Sequence, residues 1–220
     1  MKLLAIDTSS PVSCWTGVTE NEPLDPHVVD DGKKHDAVLA EGVQKWFEQN
    51  GRDGLEAVAV VVGPGGFTGL RVGVAFAVGL AESLGLPVVP VSTYELLAAS
   101  VEEGVVWALP FASRGEVRGR WMNGGAEPTE LGDVEIFSRE KLPVIKADST
   151  IIPLGQGYQR EKVWIDEMLG ERLQTGKILP VETALARASA NGYRLGRMVA
   201  AHEIDVDYGA EFRPTPKKDA

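Results

Sequence analysis

Hydrophobic positions in the first half of the chain alternate between the periods of strands and of helices. Residues 3–6 and 12–18 have strand patterns and flank the hydroxyl-rich turn 7–11, which predicts an N-terminal hairpin. The β-branched run 58–62 predicts a strand buried on both faces, and 88–91 a further short strand. Helices are predicted from Asp36 to about residue 50, from about 67 to 84, and from a capping box at Ser92 and Glu95 to about 103.

The second half repeats this order of hairpin, strand and helix less regularly. Strands are predicted at 105–109, 117–122 and 151–154, a loop at 123–133, and helices at 160–169 and 181–202. The repeated order predicts two related α/β lobes, 1–103 and 104–213, followed by a disordered tail at 214–220. The last helix, near 181–203, can pack back on the first lobe.

Composition and charge limit the class of protein, its binding partners and its cellular location. The 220 residues are 44% apolar and 25% charged, enough for a buried core. A net charge of −10, from 22 basic and 32 acidic residues, disfavours direct binding of a nucleic acid. With a single cysteine, Cys14, and no long uncharged apolar run, a cytoplasmic protein without a membrane segment is predicted.

Two segments carry residues suited to binding phosphate. Asp7, Thr8 and Ser9 at the hairpin tip could hold a cation and phosphate oxygens, although hydroxyls also satisfy turn amides. The loop 63–69 opens a helix, where free amides attract anions, and Gly65 and Gly66 would let a ligand approach closely. The same glycines permit a tight turn, and since the lysine of a phosphate loop is absent we favour that interpretation.

Common catalytic patterns are missing. The three histidines, His27, His35 and His202, form no His-x-x-x-His pair for a metal ion. The nearest approach to a Gly-x-Ser-x-Gly elbow has Phe67 at the nucleophile position. The sequence therefore predicts no catalytic residue and no metal site.

Three stretches resemble the TsaB (YeaZ) family: 4–9 (LAIDTS), 63–73 (GPGGFTGLRVG) and 90–93 (PVST). In the middle stretch only Gly66 departs from the family's order, where serine is usual. Residues 35–36, 114–117 (RGEV) and 212–217 are similar to further family positions, and the likeness is weak between 120 and 205.

The resemblance implies the two-lobe α/β fold of actin, Hsp70 and the sugar kinases (the ASKHA fold) and kinship with TsaD, which transfers the threonylcarbamoyl group to tRNA. It implies a non-catalytic scaffold that binds TsaD and, with the ATPase TsaE, supports modification of the adenosine beside the anticodon, tRNA being contacted only indirectly. It also implies no cofactor of its own, with ATP and magnesium at the level of the complex. Where the family has an acid at the second hairpin tip, this chain has Phe111. That leaves Asp7, Thr8, Ser9, Gly65 and Gly66 as a vestigial phosphate site.

Two enzyme hypotheses stay open beside this one. An ATP-dependent phosphotransferase or ATPase of the same fold would use Asp7 and the loop at Gly65. A zinc peptidase is implied by the family's old glycoprotease label, although the paired histidines are missing.

The helix over 69–84 points to a protein partner, because its middle is apolar on every side. Helical spacing predicts that Gly69, Gly73, Phe76 and Leu80 face the sheet and that the opposite stripe faces outwards. That outward stripe could bind TsaD or a second copy in a homodimer, unless the last helix covers it. The predicted interface consists of Arg71, Val74, Ala75, Val78, Gly79, Glu82, Leu39 and Val43.

Overall fold

The computed structural model describes residues 1–30, 35–113, 116–143 and 150–209, except the side chain of Ser113. Its N-terminal elements are β1 (Lys2–Asp7), β2 (Ser13–Thr19), β3 (Glu22–Val29), α1 (His35–Asn50), β4 (Ala57–Gly63), α2 (Phe67–Leu84), β5 (Val88–Ser92) and α3 (Thr93–Ala99). The first sheet has the order β3-β2-β1-β4-β5. β1, β2 and β3 pair antiparallel, whereas β1, β4 and β5 are parallel.

A second sheet follows the same plan of a hairpin and a parallel strand. Its elements are β6 (Gly104–Ser113), β7 (Glu116–Gly124), β8 (Thr129–Glu130), β9 (Glu135–Phe137), β10 (Ile151–Leu154) and α4 (Gln156–Leu169). The order is β10-β6-β7-β8, with β9 also paired to β7. β6 and β7 form the hairpin, and β10 lies parallel to β6. This duplicated arrangement confirms the predicted two-lobe α/β fold.

The last helix, α5 (Val181–Arg194), returns to the first sheet. The pleat of β1 explains how one sheet holds two layers, since successive side chains point to opposite faces. Leu3 and Ala5 pack with Leu185 of α5, whereas Leu4 and Ile6 pack with α1 and α2. α5 therefore lies on the face opposite α2, and the expectation that it could cover the outward stripe of α2 is wrong.

Residues near the helix ends explain where several helices begin or stop. Gly85 follows α2 with a φ of 65°, and its amide donates to carbonyls of the last turn, as expected of a glycine stop. The capping box at Ser92 and Glu95 is confirmed. α5, however, ends at Arg194 instead of reaching about residue 202, because the chain turns at Gly196, where φ is 70°. Leu195, directly after the end of α5, is exposed.

Three further strands were missed. β3 carries two prolines, which a strand tolerates at a sheet edge, and among the described strands it pairs only with β2. β8 and β9 lie in or just beyond the predicted loop 123–133. The domain limits at 103 and 213 stay predictions, and the tail 214–220 lies outside the described residues.

One helix, α2, is long and apolar enough to pass a length-and-composition test for a membrane span. A third of it is buried, and core helices pass the same test. Leu70, Val74, Ala77 and Ala81 form its contact with the sheet. Packing on a sheet within the chain is the behaviour of a core helix.

Candidate functional site

The turn after β1 and the loop before α2 are joined by hydrogen bonds. Gly66 N donates to Ser9 O over 2.8 Å, and Thr8 Oγ1 donates to Gly69 O over 2.7 Å. Both segments follow the carboxyl ends of adjacent parallel strands, β1 and β4, which places them side by side. The structure thus brings together the predicted phosphate residues Asp7, Thr8, Ser9, Gly65 and Gly66.

Close packing explains the glycines of this region. A Cβ atom at Gly69 or Gly73 would lie under 3.0 Å from Thr8, and one at Gly65 would lie 2.7 Å from Ser9 O. A side chain at any of the three would therefore push the turn and the helix apart. Because the Gly66 amide is already bonded to Ser9, the contacts favour the tight-turn interpretation over an anion site. Phosphate binding stays a prediction.

Asp7 is a buried carboxyl at the centre of this region. It is 2% exposed, and its Oδ1 accepts a hydrogen bond from Ser9 N over 2.8 Å. Burial raises the pKa of Asp7 above its ordinary value, while hydrogen bonds from Ser9 and the charge of His35 act in the lowering direction. The ionised form of Asp7 is therefore disfavoured in the folded protein.

His35 and Ser13 form a contact that the sequence did not reveal, because they lie on different elements. His35 Nδ1 and Ser13 Oγ are 2.6 Å apart and share a hydrogen bond. The pair resembles the base and nucleophile of a hydrolase in composition, yet Ser13 is only 2% exposed. A substrate could not reach this hydroxyl, so the bond anchors the start of α1 to β2.

We expect Asp7→Asn to raise the thermal midpoint at neutral pH by about 2–4 °C, the equivalent of about 1 kcal/mol for a chain of this size. A carboxyl whose pKa is raised by folding costs stability as pH rises through the folded pKa, and asparagine removes that cost. The gain should shrink towards zero only well below the ordinary aspartate pKa of 3.8, where Asp7 is protonated in both states. Thermal melts between about pH 2 and pH 8 measure it, with the exposed Asp133→Asn as control. A lower midpoint at pH 7 would mean that the ionised carboxylate stabilises the fold.

The strand that leads into the second hairpin tip, β6, offers no acidic partner for Asp7. Phe111, half-buried on β6, lies in register with Arg118 of β7. No residue of β6 is Asp or Glu. Arg114 and Gly115 at the tip lie outside the described residues, and elsewhere in the described chain no three His, Cys, Asp or Glu side chains cluster as metal ligands do.

A cavity of about 240 Å³ lies between the two lobes, beyond the carboxyl ends of β1, β4 and β5. It adjoins the Asp7 region, and its other walls cannot be identified from the sequence because α3, β6, α4 and α5 all contribute. The lining residues are Asp7, Ser9, Ser10, Pro64, Gly65, Thr93, Leu96, Leu97, Ser100, Pro110, Gly155, Gln156, Ile178, Leu179, Val181 and Ala184.

The outward stripe of α2 lies at the surface. Arg71, Ala75, Gly79 and Glu82 are exposed, and Val78 is half-buried. Nothing lies within 4 Å of a Cβ built at Gly79, so another chain could approach the helix backbone there. This exposed stripe is the part of the predicted interface that a partner can reach.

The remaining predicted interface residues have a different position. Leu39, Val43 and Val74 are buried where α1 and α2 meet the sheet, although Val43 borders a groove between the two helices. The predicted sheet-facing stripe is also partly wrong. Phe76 and Leu80 are half-buried and line a groove between the two helices, because the helix is rotated to place Leu70, Val74, Ala77 and Ala81 on the sheet.

This groove extends the exposed surface beside α2. Its volume is about 450 Å³, and it runs between α1 and α2. It has an apolar floor with polar and charged groups at its margins, an arrangement typical of interfaces. The lining residues are Ala40, Val43, Gln44, Phe47, Glu48, Arg52, Phe76, Leu80 and Ser83.

An exposed aromatic pair lies at the amino end of α2. The rings of Phe67 and Tyr208 have centroids 4.9 Å apart, and the Arg71 guanidinium lies 5.2 Å from the Phe67 centroid. Phe67 is 55% exposed, large for a phenylalanine. The chain after α5 supplies Tyr208, a neighbour that no local sequence signal could predict.

Comparison with known proteins gives consistent results. Residues 28–112 match the family model of TsaD, tRNA N6-adenosine threonylcarbamoyltransferase. The chain is 28% identical over 180 residues to the Bacillus subtilis tRNA threonylcarbamoyladenosine biosynthesis protein TsaB, covering 78% of each chain. It is 32% identical over 100 residues to Escherichia coli TsaB, covering 44% of this chain and 43% of that one.

The fold of YeaZ from Pseudomonas aeruginosa is also similar. The two structures superpose with a TM-score of 0.74 at 25% identity, covering 94% of this chain and 99% of YeaZ. The likeness therefore extends through the second lobe, where the sequence motifs are weakest. The motifs, the curated relatives and the shared fold together support the TsaB (YeaZ) family for this chain.

Proposed function

We propose that the chain is a non-catalytic, cytoplasmic subunit that binds TsaD and, with TsaE, supports threonylcarbamoyl transfer to the tRNA adenosine beside the anticodon. The observation that carries this proposal is the exposed outward stripe of α2. The names of the curated relatives assign those proteins to threonylcarbamoyladenosine biosynthesis. We infer the same role for this chain from its sequence similarity to them.

The outward stripe has the composition of an interface with charged ends. Ala75, Val78 and Gly79 form a small apolar centre between Arg71 and Glu82. The two charged residues are 11 positions apart, about three helical turns, so they project from nearly the same side about 16 Å apart. A charged rim around a small apolar centre supports docking of another helix.

Charge complementarity supports an antiparallel pairing. If a like helix packs about a twofold axis midway between Arg71 and Glu82, each arginine faces the other chain's glutamate, and Ala75 faces Val78. The arginine and the glutamate are then paired at both ends of the contact. A homodimer through α2 is therefore a second candidate assembly, favoured by this register.

TsaD can take the place of the second copy. The TsaD family model matches 28–112, a range that includes α1 and α2, so TsaD has a region related to the predicted interface. Two related chains can pair through a pseudo-twofold arrangement of the same surfaces. The chain's net charge of −10 supports contact with tRNA through TsaD instead of directly.

The non-catalytic role is supported by the occupied amide of Gly66 and by the absence of any acid on β6. In this proposal the chain binds no cofactor of its own, and ATP and magnesium act at the level of the complex. The rival phosphotransferase requires Mg·ATP binding by the chain alone. Titration calorimetry decides between them, and micromolar binding of Mg·ATP to the isolated chain would overturn the non-catalytic role.

The interface is tested by reversing the charges at the two ends of the stripe. We expect Arg71→Glu or Glu82→Arg alone to weaken association about tenfold, because each places like charges opposite one another. In a homodimer the double variant restores both pairs and the affinity. With native TsaD the double variant should stay weak, since TsaD keeps its own charges.

Sedimentation of the chain alone and calorimetry with TsaD measure the two cases. Glu167→Arg is a matched control, since Glu167 is an exposed residue of α4 in the other lobe. If Arg71→Glu, Glu82→Arg and the double variant all keep the native affinity, both for TsaD and for a second copy, the proposed register is excluded.

A further inference from the structure

The cavity between the lobes is lined by residues that do not suit a phosphate ligand. It lies beyond the carboxyl ends of parallel strands, where open α/β sheets commonly bind ligands. Among its described lining residues Asp7 is the only ionisable one, and none is Lys, Arg or His. A site for phosphate groups needs the opposite charge, so this cleft disfavours nucleotides.

One end of the cavity is polar. Asp7 is 2% exposed and Ser9 and Ser10 lie beside it, so a buried carboxyl and two hydroxyls line the same part of the cleft. Hydrogen-bond donors are the groups that satisfy a carboxylate. A ligand with a cationic donor would offset the burial of Asp7 more than a neutral one would.

Thr93 provides a second, independent sign of a missing ligand group. It lines the cavity at the start of α3 and is 8% exposed, yet its Oγ1 has no hydrogen-bond partner among the described residues. Buried hydroxyls are nearly always bonded, and an unbonded one costs stability. A bound molecule can supply the missing partner.

The remaining walls are apolar and come from both lobes. Leu96 and Leu97 belong to α3 and Pro110 to β6, while Leu179 and Val181 come from the segment that enters α5. These surfaces suit a hydrocarbon body attached to the donor group. A molecule held here contacts both lobes and would fix their spacing.

We propose that this cleft binds a small primary amine with an apolar body, its ammonium group directed to Asp7. The volume of about 240 Å³ limits its size. That is room for about eight waters at roughly 30 Å³ each and is below the range of about 300–1,000 Å³ for drug-sized ligands. The site is separate from the outward stripe of α2 and does not depend on the function proposed above.

The test uses benzylamine, benzyl alcohol and benzoate, which share one ring and differ in the charge of the attached group. Amide chemical shifts of the native chain are followed by NMR during each titration. We expect benzylamine to saturate in the millimolar range and to shift residues lining the cleft, such as Gly65, Leu97 and Gly155. Benzyl alcohol should bind about tenfold more weakly, and benzoate and Mg·ATP should cause no saturable shift.

Two variants locate the ammonium group. Asp7→Asn should weaken the affinity for benzylamine at least about tenfold and change the affinity for benzyl alcohol by no more than about twofold. Thr93→Val tests the unbonded hydroxyl, and we expect it to weaken the affinity for benzylamine about threefold. Asp133→Asn is the exposed control. The proposal is overturned if benzylamine does not saturate, if benzoate binds equally well, or if Asp7→Asn leaves the affinity unchanged. The probe comparison on the native chain decides even where a variant fails to fold.

Discussion

Ala75→Arg is expected to abolish association with TsaD, and with a second copy, while the free chain still folds. Ala75 is exposed at the centre of the outward stripe of α2, and the contact with the sheet is made by Leu70, Val74, Ala77 and Ala81. In the free chain the new arginine therefore points into water, where substitutions usually change stability by about 0.5 kcal/mol or less. In a packed helix pair it would displace side chains and bury an unpaired charge, weakening affinity by about a thousandfold.

Size-exclusion chromatography with TsaD and a thermal melt of the variant alone measure the two effects. Val163→Arg serves as the matched control, since Val163 is 68% exposed on α4. An intact complex would mean that the stripe is not the interface. A chain that no longer folds would mean that the stripe faces the core, contrary to its observed exposure.

Gly69→Ala is expected to lower the stability of the chain by several kcal/mol and its thermal midpoint by about 10 °C. The added methyl group would lie under 3.0 Å from the backbone carbonyl of Thr8, which is also fixed by its neighbours in β1. A backbone atom cannot rotate away as a side chain can. The turn and α2 must therefore separate, breaking the bond between Thr8 Oγ1 and Gly69 O.

Gly79→Ala is the matched control on the same helix. A Cβ at Gly79 meets nothing within 4 Å, so only helix propensity changes, and alanine should stabilise the free chain by up to about 1 kcal/mol. Thermal melts of both variants measure the difference. Equal midpoints would mean that the contact between the turn and α2 is loose, and the tight-turn interpretation of the glycine-rich loop would be lost.

These variants separate the two uses of α2. The side near Gly69 and Gly73 holds the turn after β1, and the opposite side exposes Ala75 and Gly79, where we propose that a partner binds. Under that proposal, a motif that covers both sides serves folding and association together. Stability measurements on the free chain and binding measurements with TsaD are therefore both required for any substitution in α2.

The sequence grouped Asp7 with Gly65 and Gly66 in one site only through the family resemblance. The structure supplies the physical reason, since both segments directly follow the adjacent parallel strands β1 and β4, whose ends meet at one edge of the sheet. The helix stop at Gly85 and the capping box at Ser92 were local, since each depends on residues within one turn. The family motifs identified the fold for the same reason, being continuous in the chain.

The sequence by itself thus determined most elements, the two-lobe fold and the resemblance to the TsaB (YeaZ) family. Only the tertiary structure decided which face of the sheet α5 occupies, that Leu39, Val43 and Val74 are internal, and that Thr93 and Asp7 line one cavity. A side-chain period fixes which residues share a face, but not what that face packs against. The packing partner depends on the topology of the chain and on side-chain packing between segments far apart in sequence. Neither can be inferred from a local sequence pattern.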